Sequence, residues 1–495
     1  MTNLAEEKEQ LTAASQQNNE PASLLEKRLA AWELMTKLRL PRMQRFTYYD
    51  WPLIAKQPLN WVKSDTDLEE MKPDDEVIRV TQVGQTTVKV HVPDKLKAAG
   101  VILTDIFTAA REHTDLFDRY FMTAIKADEN LLTAYHAAYL NAGLFLYVPK
   151  DVVIEKPIEA ELVQDNTQSE PLISHILVIA DRGSKVKFIQ HLTTVGDHEN
   201  PANMMIELIA RDNSEIDFSS LDEMGEKTHT YFKRRADIGR DAHVEWAVGL
   251  MNDGDTVGDM DSELLGEGGY ANSKMIAVTT KNQEVGVNNR VTNHGKHTTG
   301  LINQRGVILE NSELIFNGIG QIIHGAHGSK ADQQNRVLIM SDKARGDANP
   351  ILLIDENDVE AGHAASVGPV DPHQMYYLMS RGIPRKQAER MVIRGFLGAV
   401  LSAIPAADVR NKLVDILERK LTDGQQYQWS NRWLSGTRPT SKWGTTCLPW
   451  QCGNCSKAKA GGRHPGALLW TWQRQRSPWR SHLGRTGNGR IRRGP

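Results

Sequence analysis

His363 is the most unusual histidine in this chain. It stands among small side chains in Ala361-Gly362-His363-Ala364-Ala365-Ser366, which leaves room beside the imidazole for a partner surface. Taken alone, a histidine at the end of a strand is more often structural than a metal ligand. His294 with His297, and His324 with His327, are i, i+3 pairs in glycine-containing turns. Such pairs can chelate, but no helix aligns them here, and they read as turn residues.

Cys447, Cys452 and Cys455 have the C-x4-C-x2-C spacing of a plant-type ferredoxin, which also needs a fourth, distant cysteine that this chain lacks. His464 or His482 could complete a zinc site, but that requires an ordered loop, and the expectation is no physiological metal there. Asp355, Glu356 and Asp358 form an acidic turn. A β-helical carbohydrate-active enzyme would use two carboxylates across a groove at roughly 5–10 Å, whereas an acidic turn is ordinarily just solvated. There is no G-x-x-x-x-G-K-[ST] loop, so any ATP hydrolysis must come from a partner.

The elements that position His363 change character midway through residues 345–384. Pro350 disfavours helix at Asn349, and Ile351-Leu352-Leu353-Ile354 reads as a buried strand. After the small-residue stretch, Asp371 is an N-cap, Pro372 takes the first helical position and Gln374 suggests a capping box. Met375, Leu378 and Met379 share a face, and Gly382-Ile383-Pro384 stops the helix. A stack of strands hands over to a helical module here.

The 495-residue length predicts more than one domain. No apolar run approaches the roughly 18 residues that span a bilayer, and residues 1–20 lack a signal-peptide pattern, so a soluble cytoplasmic protein without a membrane partner is expected. The net charge of −3 averages two unlike parts: residues 1–423 carry 46 basic against 62 acidic residues, and residues 424–495 carry 13 basic residues and no acid. All three cysteines and seven of the eleven tryptophans lie in that tail. The body therefore has no thiolate, the usual ligand of iron–sulfur clusters, and cannot hold one stably alone in the ordinary way.

Residues 1–44 comprise a polar stretch to Glu20, expected to be disordered, and a helix from Pro21 to Leu38. Residues 45–150 are mixed α/β, with strands at 77–80 and 87–92, helices at 106–124 and 131–140, and a strand from Gly143 to Lys150. Residues 151–370 read as strand after strand. Within them Ser184-Lys185-Val186-Lys187-Phe188, Ser214-Glu215-Ile216-Asp217-Phe218, Ala242-His243-Val244-Glu245-Trp246 and Ser312-Glu313-Leu314-Ile315-Phe316 repeat a small, an aliphatic and an aromatic residue at alternate positions. A cross-section recurring every 30 or so residues is what stacked coils require. The predicted fold is mainly β, a right-handed parallel β-helix core with an N-terminal α/β region and a C-terminal helical module; a β-sandwich has the same period-2 alternation.

Residues 371–424 form that helical module. Ala388, Met391, Val392, Ala399 and Val400 mark one amphipathic face, Val409, Leu413, Ile416 and Leu417 another, and Gly424 is a candidate cap. Residues 425–495 have no periodicity and read as an aberrant, out-of-frame extension, expected to be disordered. Nucleic-acid binding by their basic and aromatic residues would be adventitious.

Asp347-Ala348-Asn349-Pro350, Asp355-Glu356-Asn357-Asp358-Val359, the run from Ala361 to Gly368 and the run from Met375 to Ile383 together resemble the SufD family. Its members are scaffold subunits of the SUF iron–sulfur cluster assembly machinery; the paralogous SufB family is less similar. The resemblance extends from about Trp51 to about Leu421. It implies a non-catalytic subunit that pairs with SufB, docks the SufC ATPase through residues 371–421, and presents His363 to a SufB cysteine as a ligand for iron or a transient, shared cluster. Family members often carry a cysteine two residues before this histidine, where this chain has Ala361. A SufB-like subunit is the alternative within the family, and the cysteine-free body argues against it.

Overall fold

The computed structural model describes residues 4–55, 59–64, 78–402 and 410–422. Cys447, Cys452, Cys455, His464, His482 and the rest of the basic tail lie outside the described residues, as does Gly424.

From Ala142 to Pro369 sixteen strands alternate between two sheets, which reach ten and nine strands with the three that precede Ala142, and between the ends of the stack each strand pairs in parallel with the second one before and after it in sequence. Two strands make one coil, and about eight coils stack into a parallel β-solenoid. Antiparallel pairs close only its beginning, where Ile78–Val83 pairs with Thr86–His91 and Ile102–Asp105 with Ala142–Val148.

Alternation sends every second side chain into the space between the sheets. Phe188, Phe218 and Trp246 share one inward ladder, each paired in register with the next, with ring centroids 5.2 and 5.4 Å apart. Phe316, the fourth member of the sequence repeat, lies in the opposite sheet, in register with Val287 and Ala348. The motif marks an inward triplet, which strands of either sheet can carry.

The outer faces of the two sheets are covered by different parts of the chain. The N-terminal region covers one: Met43, Phe46 and Tyr48 pack on Tyr231, Val257 and Ile315, and Gly286 leaves the space that Phe46 and Met43 fill. Residues 4–20, expected to be disordered, instead contain the helix Leu4–Gln17, whose Leu11 packs against Ala31 and Trp32 of Ala22–Met35. Glu20 fastens this arm by a buried ion pair with Arg28, 2.7 Å, and Arg28 also donates to the carbonyls of Ala138 and Leu140.

The single helix expected over 106–124 breaks at His113 into Ile106–Glu112 and Thr114–Tyr120. The following turn wraps the Glu207 carboxylate, which accepts from the backbone N–H of Met122 and Ile125 at 2.8 and 2.7 Å. Glu207 also meets His175 at 3.0 Å, and His175 meets His136 at 3.1 Å, all buried beneath the helices. Burial holds His136 well below the usual imidazole range.

The C-terminal helices cover the other sheet. In Arg385–Leu401 the buried face is Ala388, Ile393, Leu397 and Leu401, whereas Met391, assigned to the apolar face from the sequence, is exposed. Residues 410–422 are helical and bury Leu413, Ile416, Leu417 and Leu421 against the same sheet. Arg419 pairs with Glu223 at 2.7 Å, and Lys420, its pKa lowered by burial, reaches Asp253 and the Asn252 carbonyl, both at 2.7 Å. Among the described residues, no helix is long and apolar enough to cross a membrane.

Candidate functional site

The solenoid ends in an uncovered coil made of Arg345–Ile354 and Glu360–Pro369, each the edge strand of its sheet. Among the described residues no further strand bonds either of them, and each leaves a row of backbone N–H and C=O groups facing away from the stack. Pro350, which has no N–H to donate, is tolerated because it lies on an edge.

The Ile351–Ile354 run, read from the sequence as a buried strand, is partly or largely exposed, with Leu353 46 % and Ile354 39 % accessible. Its apolar character is that of a core strand, but among the described residues no coil follows to cover it. Val367 in the partner edge strand is 41 % exposed for the same reason.

His363 is in this coil. Its register partner is Gln333, and the ladder continues downward through Ile302 and Ser273 to Trp246. His363 thus occupies an inward position of the stack, exposed because it lies in the last layer. Ala361 and Ala365 flank it at the neighbouring inward positions and leave the imidazole uncrowded.

The acidic turn before it has a structural role. Glu356 accepts from the backbone N–H of Gly325 at 2.9 Å and of Asn357 at 2.7 Å, and these donors hold its carboxyl below the ordinary range. His327 and His324 lie 3.2 and 3.8 Å from the same carboxylate. His294 meets Glu263 at 2.7 Å on an earlier turn, and the His297 N–H donates to the His327 carbonyl. Both histidine pairs therefore lie in stacked turns between coils. Among the described residues, no group of three or more His, Cys, Asp or Glu is arranged to hold a metal. A metal held at His363 needs ligands from outside these residues.

Beyond the last coil, the helix Pro372–Ser380 starts at Asp371, whose carboxylate accepts from the His373 N–H at 2.8 Å. The expected reciprocal bond from Gln374 is not formed. The helix buries none of its residues, and Tyr376, Tyr377 and Met379 are 74 %, 58 % and 44 % exposed. Arg381 lies over the Tyr377 ring at 5.2 Å. The uncovered apolar side chains of edge strands and helix are all supplied by the chain between 351 and 379.

Sequence reasoning missed the polar lining beneath His363. Gln333 and Asn335 are fully buried between the sheets. The stretch Ala331-Asp332-Gln333-Gln334-Asn335 is polar at both inward and outward positions, so composition gave no sign that two amides turn inward.

Comparison with known proteins places these features. Residues 162–396 match the family described as SUF system FeS cluster assembly, SufBD core domain, and residues 76–160 match the SufBD protein N-terminal region. The chain is 42 % identical over 434 residues to the iron–sulfur cluster assembly protein SufD of Bacillus subtilis, covering 85 % of this chain and 99 % of that relative. It is 24 % identical over 413 residues to an iron–sulfur cluster assembly SufBD family protein of Staphylococcus epidermidis, covering 80 % and 89 %. A Staphylococcus aureus protein of the same description is likewise 24 % identical over 413 residues.

Proposed function

This chain belongs to the SufB/SufD family of iron–sulfur cluster assembly proteins, and from that premise we propose that it is the SufD-like subunit of a SufB–SufC–SufD scaffold. In this reading its open coil pairs edge to edge with the corresponding coil of SufB, and its C-terminal helices, residues 371–421, bind the SufC ATPase. The chain catalyses nothing by itself; ATP hydrolysis belongs to SufC.

The observation that carries the proposal is the exposure of His363 within an uncovered terminal coil. An edge of unpaired backbone groups and apolar side chains invites a second chain, and the histidine lies in the layer such a chain would meet. His363 would lend its imidazole to iron or to the nascent cluster, the cargo of the complex, while SufB supplies sulfur ligands. The absence of cysteine from residues 1–446 supports that division of labour. The exposed face of Pro372–Ser380 supports a second docking surface.

Co-expression with SufB and SufC tests the proposal. The tagged chain should retain both partners, and the His363→Ala variant should retain them with a reduced yield of cluster. Loss of neither partner and no change in cluster yield would remove the ligand role; failure of the wild-type chain to retain SufB would remove the scaffold reading.

A further inference from the structure

Asn288, Asn317 and Asn349 stand in register on successive coils of the nine-stranded sheet, and Asp259 holds the same position one coil below them. Their neighbours Val287, Phe316 and Ala348 point into the core, so the row lies on the outer face of the sheet. Its side chains are joined end to end. Asn288 Nδ2 donates to Asp259 Oδ1 at 2.7 Å, Asn317 Nδ2 to Asn288 Oδ1 at 2.9 Å, and Asn349 Nδ2 to Asn317 Oδ1 at 2.9 Å.

The direction of the row is fixed at its middle. Asn317 Nδ2 also reaches the Gln44 main-chain carbonyl at 3.3 Å, and a carbonyl can only accept. The N–H side of Asn317 therefore faces Asn288 and Gln44, and its oxygen faces the next coil. Asn349 must donate to that oxygen, which turns its own Oδ1 toward the open side of Arg345–Ile354, as the oxygens below it are turned toward the coil above each. Among the described residues nothing donates to Asn349 Oδ1, and solvent reaches it. Hydrogen bonds in a chain polarise one another, so this last oxygen is a stronger acceptor than that of an isolated amide. The comparable bond on the ten-stranded sheet, Asn272 Nδ2 to Glu245 Oε1 at 3.2 Å, is not continued, because Leu301 is next in register.

We propose that Asn349 sets the register of the chain that pairs with Arg345–Ile354: the residue which the added strand places opposite Asn349 carries a hydrogen-bond donor, an amide or a cationic side chain, and completes the row. An aspartate or glutamate there would set oxygen against oxygen, and an apolar residue would strand the acceptor. A slip of one residue turns the facing side chain to the other side of the sheet, and a slip of two brings a different residue opposite. One donor thus selects one register. Asparagine ladders join stacked strands of separate chains by the same bonds. The inference rests on the reading of the open coil as the surface that meets SufB, and it adds what SufB must present there.

The test uses the full-length chain, alone and co-expressed with SufB and SufC, and two substitutions that separate the two ends of the amide. Asn349→Lys keeps a donor for Asn317 Oδ1 but offers no acceptor. The isolated chain should keep its thermal midpoint, while retention of SufB falls about tenfold, the effect of stranding a donor at an interface. Asn349→Asp keeps an acceptor but sets a carboxylate against Asn317 Oδ1. The isolated chain should melt about 2 °C lower, yet retain SufB within about threefold of the wild type. Asn349→Leu has neither end and should lose on both counts.

A row that serves only the stability of this chain predicts the opposite order, with SufB held better by Asn349→Lys than by Asn349→Asp. Retention in that order, or equal in the two variants, would overturn the inference. No retention of SufB by the wild-type chain would instead defeat the reading of the open coil, and this inference with it.

Discussion

Trp246 and His363 stand in one inward ladder, four coils apart, the first sealed at 0 % exposure and the second open to solvent. The pleat is the same at both positions; the difference is the next coil. Any chain that seats itself on Glu360–Pro369 would convert the environment of His363 into that of Trp246, dry and enclosed. A ligand bond formed there would gain from exclusion of water.

Val367 lies on the same strand, inward and 41 % exposed. Val367→Lys should cost this chain about 1 kcal/mol or less, because the side chain is only partly buried and a lysine can extend into solvent. In the assembled scaffold the same charge would face an apolar layer. Retention of SufB should therefore fall at least tenfold in a pull-down, with little change in the thermal midpoint of the isolated chain. Undiminished retention would exclude this strand from the interface.

The solenoid was legible because its inward triplets recur: Val186 and Phe188, Ile216 and Phe218, Val244 and Trp246 align in register as the repeat implies. Which sheet a triplet joins was not legible, as Phe316 shows, since either sheet presents the same alternation. His363 was noticeable for its small neighbours, but its exposure depends on where the stack ends, which local pattern does not encode. The Ile351–Ile354 run was misread as buried for that reason. The anchoring of the N-terminal arm depends on Arg28 meeting Ala138 and Leu140, contacts across more than a hundred residues that no window contains. In Arg385–Leu401 the periodicity admits two apolar stripes, and packing selects the one with Ile393 over the one with Met391.

Residues 425–495 follow a helix that is already anchored through Leu417, Lys420 and Leu421. A chain ending at Gly424 should unfold at the same temperature as the full chain within about 2 °C, and its zinc and iron content should be the same. A difference in bound metal would assign Cys447, Cys452 and Cys455 a role that their spacing alone does not support.

Gly249 and Leu413 define the seat of the last described helix. A Cβ at Gly249 would lie 2.7 Å from Leu413 Cδ1 and 3.5 Å from Leu221 Cδ1. Gly249→Val should overpack this contact at a cost of about 1–3 kcal/mol. Hydrogen exchange should accelerate in residues 410–422 before it does in the coils, and retention of SufC should weaken. Leu413→Ala in the same chain should restore slow exchange by returning the space; absence of rescue would mean the strand itself is distorted.

Asp237 makes the stability of the stack depend on pH. Burial, then the Glu207 carboxylate on the adjacent strand, push its pKa from 3.8 up to about 6, against the opposing pull of Arg235. The folded chain therefore keeps a proton that the unfolded chain releases between pH 4 and 6. By linkage, stability from this group falls as pH rises through that window and stays low above it. A shift of this size corresponds to about 2–3 kcal/mol at most. Asp237→Asn removes the charge, so it should stabilise the protein by about 1–3 kcal/mol at pH 8 and by almost nothing at pH 4. Denaturant unfolding of both proteins at the two pH values measures the difference. An equal effect at pH 4 and pH 8 would show that the substitution acts through packing, with the carboxyl titrating near its ordinary value.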